Sequence, residues 1–298
     1  MIPRSTIIAA LLVIEVAILG EALVAVRAGQ AAPSPGRGVV AQAAAGSRLV
    51  EGGPHQVFDA AAHPALTVDI GDADLTILTS KAAQIDVSVS ASNAFGVFRA
   101  TAPIAAREDG GTIRIATGQE HRWSMGDDRM VTVVVPAETR VTVVEAGDIK
   151  ANGLRAEASF NSVGSGSVTV EDYDAPALHV AASNGRISLH EIVAARFDAA
   201  SSNGRVEGTA LQVHDGSVES DGPVTLGFAT GADTLVTAEA KNGRVSVTGL
   251  PAAASAGTAH SDGDDDEDSS SQTVRFGAGT GHLDVHASDG NINLAQEG

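Results

Sequence analysis

One glycine recurs at an almost constant step through the second half of the chain, and this recurrence narrows the folds open to it. The column comprises Gly147, Gly166, Gly185, Gly204, Gly222, Gly243 and Gly290, at intervals of 19, 19, 19, 18, 21 and 47 residues. Two places after each anchor stands Ile149, Val168, Ile187, Val206, Val224, Val245 or Ile292. Four places after stands Ala151, Val170, Leu189, Gly208, Leu226, Val247 or Leu294. Seven places after, five units carry Leu154, Tyr173, Ile192, Leu211 or Leu250. Residues between these columns are small or polar, so one face of each short strand is expected to be buried and the other wet. A unit of this length buries its apolar face only by stacking on neighbours. The expected fold is all-β: a parallel β-solenoid, or β-helix-like stack, of units of about 19 residues spaced by roughly 4.8 Å.

Three anchors lie in Asn-Gly-Arg, at Asn184, Asn203 and Asn242, and Asp221 and Asp289 take the place of Asn in two others. Asn-Gly is also a hairpin signal, because both residues tolerate positive φ, so an antiparallel sandwich is the competing architecture. The constant spacing favours stacked corners, at which the asparagines can form an amide ladder. Upstream, LTVDIGDADLTIL, IDVSVSA, GTIRIA and RMVTVVVP alternate with period two and read as strands. This divides the exported part into an N-terminal β region, 55–144, and the repeats, 145–298, with an acidic insertion at 251–272.

Residues 7–26, IIAALLVIEVAILGEALVAV, form an apolar run flanked by Arg4 and Arg27. Twenty helical residues cover roughly 30 Å, enough for a bilayer, so residues 1–28 are expected to be a transmembrane helix or a signal peptide. Glu15 and Glu21 interrupt the run and would be the place to look for a helix partner. Residues 29–54, rich in Ala, Gly, Pro and Gln, read as a flexible linker. The expected location is therefore a membrane-anchored extracytoplasmic domain, or a secreted one if the segment is cleaved.

Composition removes several function classes. The chain has no cysteine, so thiolate metal sites and thiol catalysis are excluded. Its formal charge of −18 opposes nucleic-acid binding. One Trp, one Tyr and seven Phe suit thin repeating units filled by Val, Ile, Leu and Ala.

The S-N-G-x-[IV]-x-[LV] strand, the turn at Val135-Pro136-Ala137 leading into VTVVEAGDIKANGL, and the closing LDVHASDGNINL together resemble a bacterial domain family of unknown function described as adhesin-like. The resemblance covers roughly residues 65–295. It implies a β-solenoid or two-sheet repeat domain, often behind one N-terminal membrane segment and sometimes linked to envelope stress. It supplies no catalytic or ligand residues.

Individual chemical signals are weak. The acidic insertion holds Asp262, Asp264, Asp265, Asp266, Glu267 and Asp268 and offers oxygen ligands for weak Ca²⁺ binding, although it misses the EF-hand template and reads as a solvated loop. His282, Asp284 and His286 alternate along one strand, so His282 with Asp284 could serve as half a metal site. His190-Glu191 lacks the second histidine of a zinc protease, and VGSGSV lacks the spacing of a nucleophile elbow. Trp123, with His121, Arg122 and Met125, marks a contact loop or an edge residue covering the first sheet. Arg186 and Arg205, with Arg244 two units on, form a column that invites an anionic ligand, with Glu207, Glu191 and Asp198 as candidate salt-bridge partners. The expectation is a non-enzymatic envelope protein without a resident cofactor, an adhesin-like or structural surface module with a protein or glycan partner. The alternative is an envelope-stress accessory acting through its anchor.

Overall fold

The computed structural model describes residues 55–60, 65–93, 104–117, 127–249 and 269–297. The expected membrane segment and linker, the Trp123 cluster and the insertion carboxylates Asp262, Asp264, Asp265, Asp266, Glu267 and Asp268 lie outside them. The described residues contain nineteen strands and no helix. Strands β1 (His55–Asp59), β2 (Ala65–Asp69), β3 (Asp74–Ser80), β4 (Gln84–Asn93), β5 (Ile104–Asp109), β6 (Thr112–Thr117) and β7 (Asp127–Pro136) precede the repeats. Then come β8 (Arg140–Ala146), β9 (Ile149–Asn152), β10 (Ala158–Ser162), β11 (Val168–Ala182), β12 (Ile187–Ser201) and β13 (Val206–Ser220). The chain ends with β14 (Val224–Phe228), β15 (Thr234–Ala240), β16 (Val245–Thr248), β17 (Ser270–Phe276), β18 (Gly281–Ala287) and β19 (Ile292–Gln296).

Strands β11, β12 and β13 each serve two ladders. The first half of β11 pairs with β9 and the second half with β10, both parallel, and β12 and β13 continue in register. Each long strand turns its corner at one residue in the left-handed region: Asp172 (φ 51°), Glu191 (φ 55°) and Ala210 (φ 53°). These stand six places after the glycine anchor, where the first and last such units carry Gly153 (φ 82°) and Gly249 (φ 76°). One ladder runs β1-β4-β7-β3-β9, then the first halves of β11, β12 and β13, then β14-β19-β16. The other runs β5-β6-β2-β8-β10, then the second halves of the same strands, then β18-β15-β17. Pairing is parallel throughout except for β1–β4, β4–β7, β5–β6 and β15–β17, which lie toward the outer ends of the ladders. The repeats are thus stacked corners and not hairpins.

Stacking does not follow chain order at either end. Strands β18 and β19 lie between β13–β14 and β15–β16, and β2 and β3 lie between β6–β7 and β8–β9. The glycine column therefore runs Gly222, Gly290, Gly243 in space: a Cβ on Gly290 would meet Pro223 N at 2.5 Å, and one on Gly243 would meet the Gly290 oxygen at 2.3 Å. Close approach, not backbone conformation, selects these glycines. None of the seven anchors has a positive φ, and neither do Asn184, Asn203 or Asn242. A Cβ on Gly185 or Gly204 would sit 1.8 Å from the carbonyl oxygen of the glycine in the preceding turn.

The apolar columns fill the interior. Ile149, Val168, Ile187, Val206, Val224 and Ile292 are all buried, as are Leu154, Tyr173, Ile192 and Leu211. Val245 and Val247 are only half-buried, because β16 ends its ladder. Among the described residues the aromatics lie inside: Tyr173, Phe160, Phe197, Phe228 and Phe276 are among the largest fully buried side chains, and the last two phenylalanines stack at 4.2 Å. At the corner, the buried hydroxyls of Ser162, Ser201 and Ser220 donate to the carbonyls of Gly147, Gly185 and Gly204, so their polarity is satisfied where the turns meet.

Candidate functional site

Along the Asn-Gly-Arg corner the outer side chains border a groove of about 720 Å³. Four successive turns build it, the last through Gly222 and Pro223. One contributes Ser167 and Thr169, the next Asn184, Arg186 and Ser188, and the third Asn203 and Arg205. Alternation turns Thr169 and Ser188 outward, and Ser167, Arg186 and Arg205 stand just before the buried Val168, Ile187 and Val206 that open β11 to β13. The corner is braced by an amide ladder: Asn203 Nδ2 donates to Asn184 Oδ1 at 2.8 Å, and Asn184 Nδ2 to the Gly164 carbonyl at 2.8 Å. Farther along the stack Asn242 Nδ2 donates to Asp289 Oδ1 at 2.7 Å, so Asn and Asp at this position are complementary partners.

Of the three acids considered as partners for the arginine column, Glu207 takes the role. Its oxygens lie 3.3 Å from Arg205 Nη1 and 3.8 Å from Arg186 Nη1. Glu191 instead faces His190 at 3.4 Å, and Asp198 accepts from the Ser217 hydroxyl at 3.2 Å. All three members of the Arg186, Arg205 and Glu207 set are about half exposed, so the pairs add little stability but hold the guanidinium groups in place. Arg244 stands at the same position on β16's turn, with β19 between it and the turn of Pro223.

Of the metal candidates, His282 and Asp284 lie among the described residues and contact each other. His282 and Asp284 project from β18, with His282 Nε2 2.9 Å from Asp284 Oδ1. His286 pairs with Glu239 on β15 at 3.4 Å. Next to them, the His282 amide donates to Asp215 Oδ1 at 2.9 Å and His214 Nδ1 lies 2.9 Å from the other Asp215 oxygen. The His214 hydrogen bond, with the His282 amide, holds the Asp215 carboxyl below the ordinary aspartate range. Asp233 is lowered likewise, chiefly by the Thr280 hydroxyl that donates to it at 2.8 Å. Among the described residues no group of three or more His, Asp or Glu converges as metal ligands would. His190, in a sequence that begins like a zinc motif, lies on a strand with Nδ1 2.6 Å from Thr209 Oγ1.

The sequence missed two features of this surface. The left-handed corner six places after five of the glycines carries Gly153, Asp172, Glu191, Ala210 and Gly249, of which Glu191 and Ala210 do not advertise positive φ. The proximity of His214 and Asp215 to His282 comes from the insertion of β18 beside β13, which no local pattern encodes.

No curated protein matches the sequence. Among solved structures, the chain is similar to a protein of Clostridium sporogenes described as a proposed cell adhesion protein (TM-score 0.34, 13% identity, 82% of this chain and 99% of that one). It is similar also to a proposed adhesin of Bacteroides fragilis (TM-score 0.47, 12% identity, 82% and 96%) and to a proposed lipid-binding protein of Parabacteroides distasonis (TM-score 0.38, 12% identity, 80% and 95%). The family model described as Toastrack DUF4097 matches residues 63–295, which span all the described strands but β1 and the last residue of β19. The chain is a member of the Toastrack DUF4097 family.

Proposed function

We propose that the chain is a non-enzymatic, adhesin-like surface module that presents a rigid polar ladder to an extracytoplasmic partner. One observation carries this reading. In spatial order, the outward residues Thr132, Thr76, Lys150, Thr169, Ser188, Glu207, Thr225, Asn293 and Ser246 occupy one column, each in register with the next. A column of hydroxyls, amides and charges repeating at roughly 4.8 Å suits recognition of an extended or repetitive surface. From β3 to β19 the strands beneath are fixed by parallel pairing on both sides, so the ladder is ordered before a partner arrives and association costs little conformational entropy.

The membrane-anchored or secreted location belongs to the same proposal and is supported by the apolar run at 7–26. Protease treatment of intact cells that express the full-length chain, paired with attachment of those cells to coated surfaces, tests both parts. The expected result is loss of the chain to external protease and weaker attachment when its gene is removed. A chain protected from protease, or attachment that does not change, contradicts the proposal.

A further inference from the structure

We infer that the Asn-Gly-Arg groove is a binding site for a short saccharide bearing a carboxylate. This inference deepens the surface-module reading and rests on it. The lining has a composition unlike the rest of the molecule. The chain carries 37 acidic residues, yet none of the lining residues is acidic, and two are arginines. Arg186 and Arg205 occupy equivalent positions on adjacent turns, one strand spacing of roughly 4.8 Å apart, so a single carboxylate can accept from both.

The guanidinium groups retain donors for such a ligand. Each carries five N–H groups. Only Arg205 donates a hydrogen bond to Glu207, at 3.3 Å, while the Arg186 to Glu207 distance of 3.8 Å is an ion pair without a hydrogen bond. Glu207 therefore acts as the resident carboxylate at the rim, positioning the arginines and competing mildly for them. The other polar side chains of the lining are hydroxyl and amide, from Ser165, Ser167, Thr169, Ser188, Asn184 and Asn203, with glycines and Pro223 between them. These groups both donate and accept, as sugar hydroxyls require. No aromatic or large aliphatic side chain lines the groove, so it offers no anchor for a peptide side chain. A charge of −18 over the whole chain repels long polyanions, which favours a ligand with few charges. The volume is in the range of small-ligand sites and accommodates one or two sugar rings.

The test is calorimetric titration of the full-length chain with a glucuronate-terminated disaccharide, its neutral alcohol counterpart and a sugar phosphate. Saturable binding of the glucuronate probe with the neutral counterpart silent is expected. The double variant Arg186→Gln/Arg205→Gln should weaken binding at least about tenfold with an unchanged circular dichroism spectrum. Glu207→Gln should tighten it a few-fold by removing the competing carboxylate, an outcome that a damaged fold would not give. No heat at ligand concentrations up to about 10 mM, equal binding of the neutral sugar, stronger binding of the sugar phosphate, or insensitivity to the arginine substitutions overturns the inference. Cells that lose attachment with the gene but whose protein ignores the probe overturn this site alone. A protease-protected chain that still binds the probe overturns the surface role alone.

Discussion

Gly185 shows how tightly the turns are stacked. A methyl group there would lie 1.8 Å from the Gly166 oxygen and 2.5 Å from its carbon, backbone atoms that cannot move without shifting a parallel ladder. Gly164 is the useful contrast, since its φ is +63° but nothing lies within 4 Å of a Cβ. Gly185→Ala should therefore cost about 3 kcal/mol or more by overpacking, whereas Gly164→Ala should cost about 1 kcal/mol in backbone strain. Denaturant unfolding of both variants checks the order. Tyr173 makes a second residue-scale prediction. It is the only tyrosine of the chain, is buried, and has the carbonyls of Ala156 and Ala177 as acceptors sharing its single hydroxyl hydrogen. Burial pushes its phenol above the ordinary range. A raised folded value means stabilisation that is complete below about pH 10 and lost as pH climbs past it. Tyr173→Phe should lower stability near neutrality by about 1 kcal/mol while flattening the decline above pH 10. Phenolate absorbance should appear only with unfolding. A folded protein that shows phenolate near pH 10 would refute the assignment.

At the scale of elements, the columns Ile149 to Ile292 and Leu154 to Leu211 were legible because solenoid packing repeats a local pattern. The amide ladder of Asn184 and Asn203 was legible for the same reason: identical residues at identical corners must meet. Hairpin formation was a competing reading of the same Asn-Gly pairs. What decided it was the carbonyl-to-glycine approach between turns, a contact across 19 residues that positive φ has no part in. The placement of β18–β19 and β2–β3 was not legible. Strand sequences fix which face is buried but not which neighbour is paired, and Ile292 continues the apolar column equally well beside Val224, Val245 or both. Half-burial of Val245 and Val247 follows from that placement, since inserting β19 moves β16 to the end of its ladder. Glu297 helps to fix the inserted strand, with its carboxylate accepting from the Ala210 amide at 2.9 Å and its carbonyl accepting from the Thr230 hydroxyl at 3.1 Å. The arginine groove was half legible. The column of Arg186 and Arg205 stood out by number, but Glu207, rather than Glu191 or Asp198, was singled out by the cross-turn register.

For the repeat domain as a whole, burying β2–β3 and β18–β19 inside the stack changes where its edges lie. The last strand, β19, is paired on both sides, while β1, β5 and β17, antiparallel to their neighbours, and β16, parallel to its neighbour, stand at ladder ends. Exposed edges invite pairing with other chains, and β16, the parallel strand at a ladder end among the described residues, is only 4 residues long, which limits that hazard. The polar ladder and the arginine groove both depend on the resulting order of turns. Since the chain has no cysteine, introduced pairs report that order without interference. Thr225 and Ser246 each pair with Asn293, and Ser246 Oγ donates to Asn293 Oδ1 at 2.5 Å. Thr225 and Ser246 themselves are separated by β19, about two strand spacings or roughly 9.6 Å, beyond the reach of a disulfide. The decisive measurement is oxidation of three double-cysteine variants of the full-length chain. Thr225→Cys with Asn293→Cys, and Ser246→Cys with Asn293→Cys, should form disulfides within the monomer, while Thr225→Cys with Ser246→Cys should stay reduced. A disulfide in the third pair and none in the first two would contradict the stack.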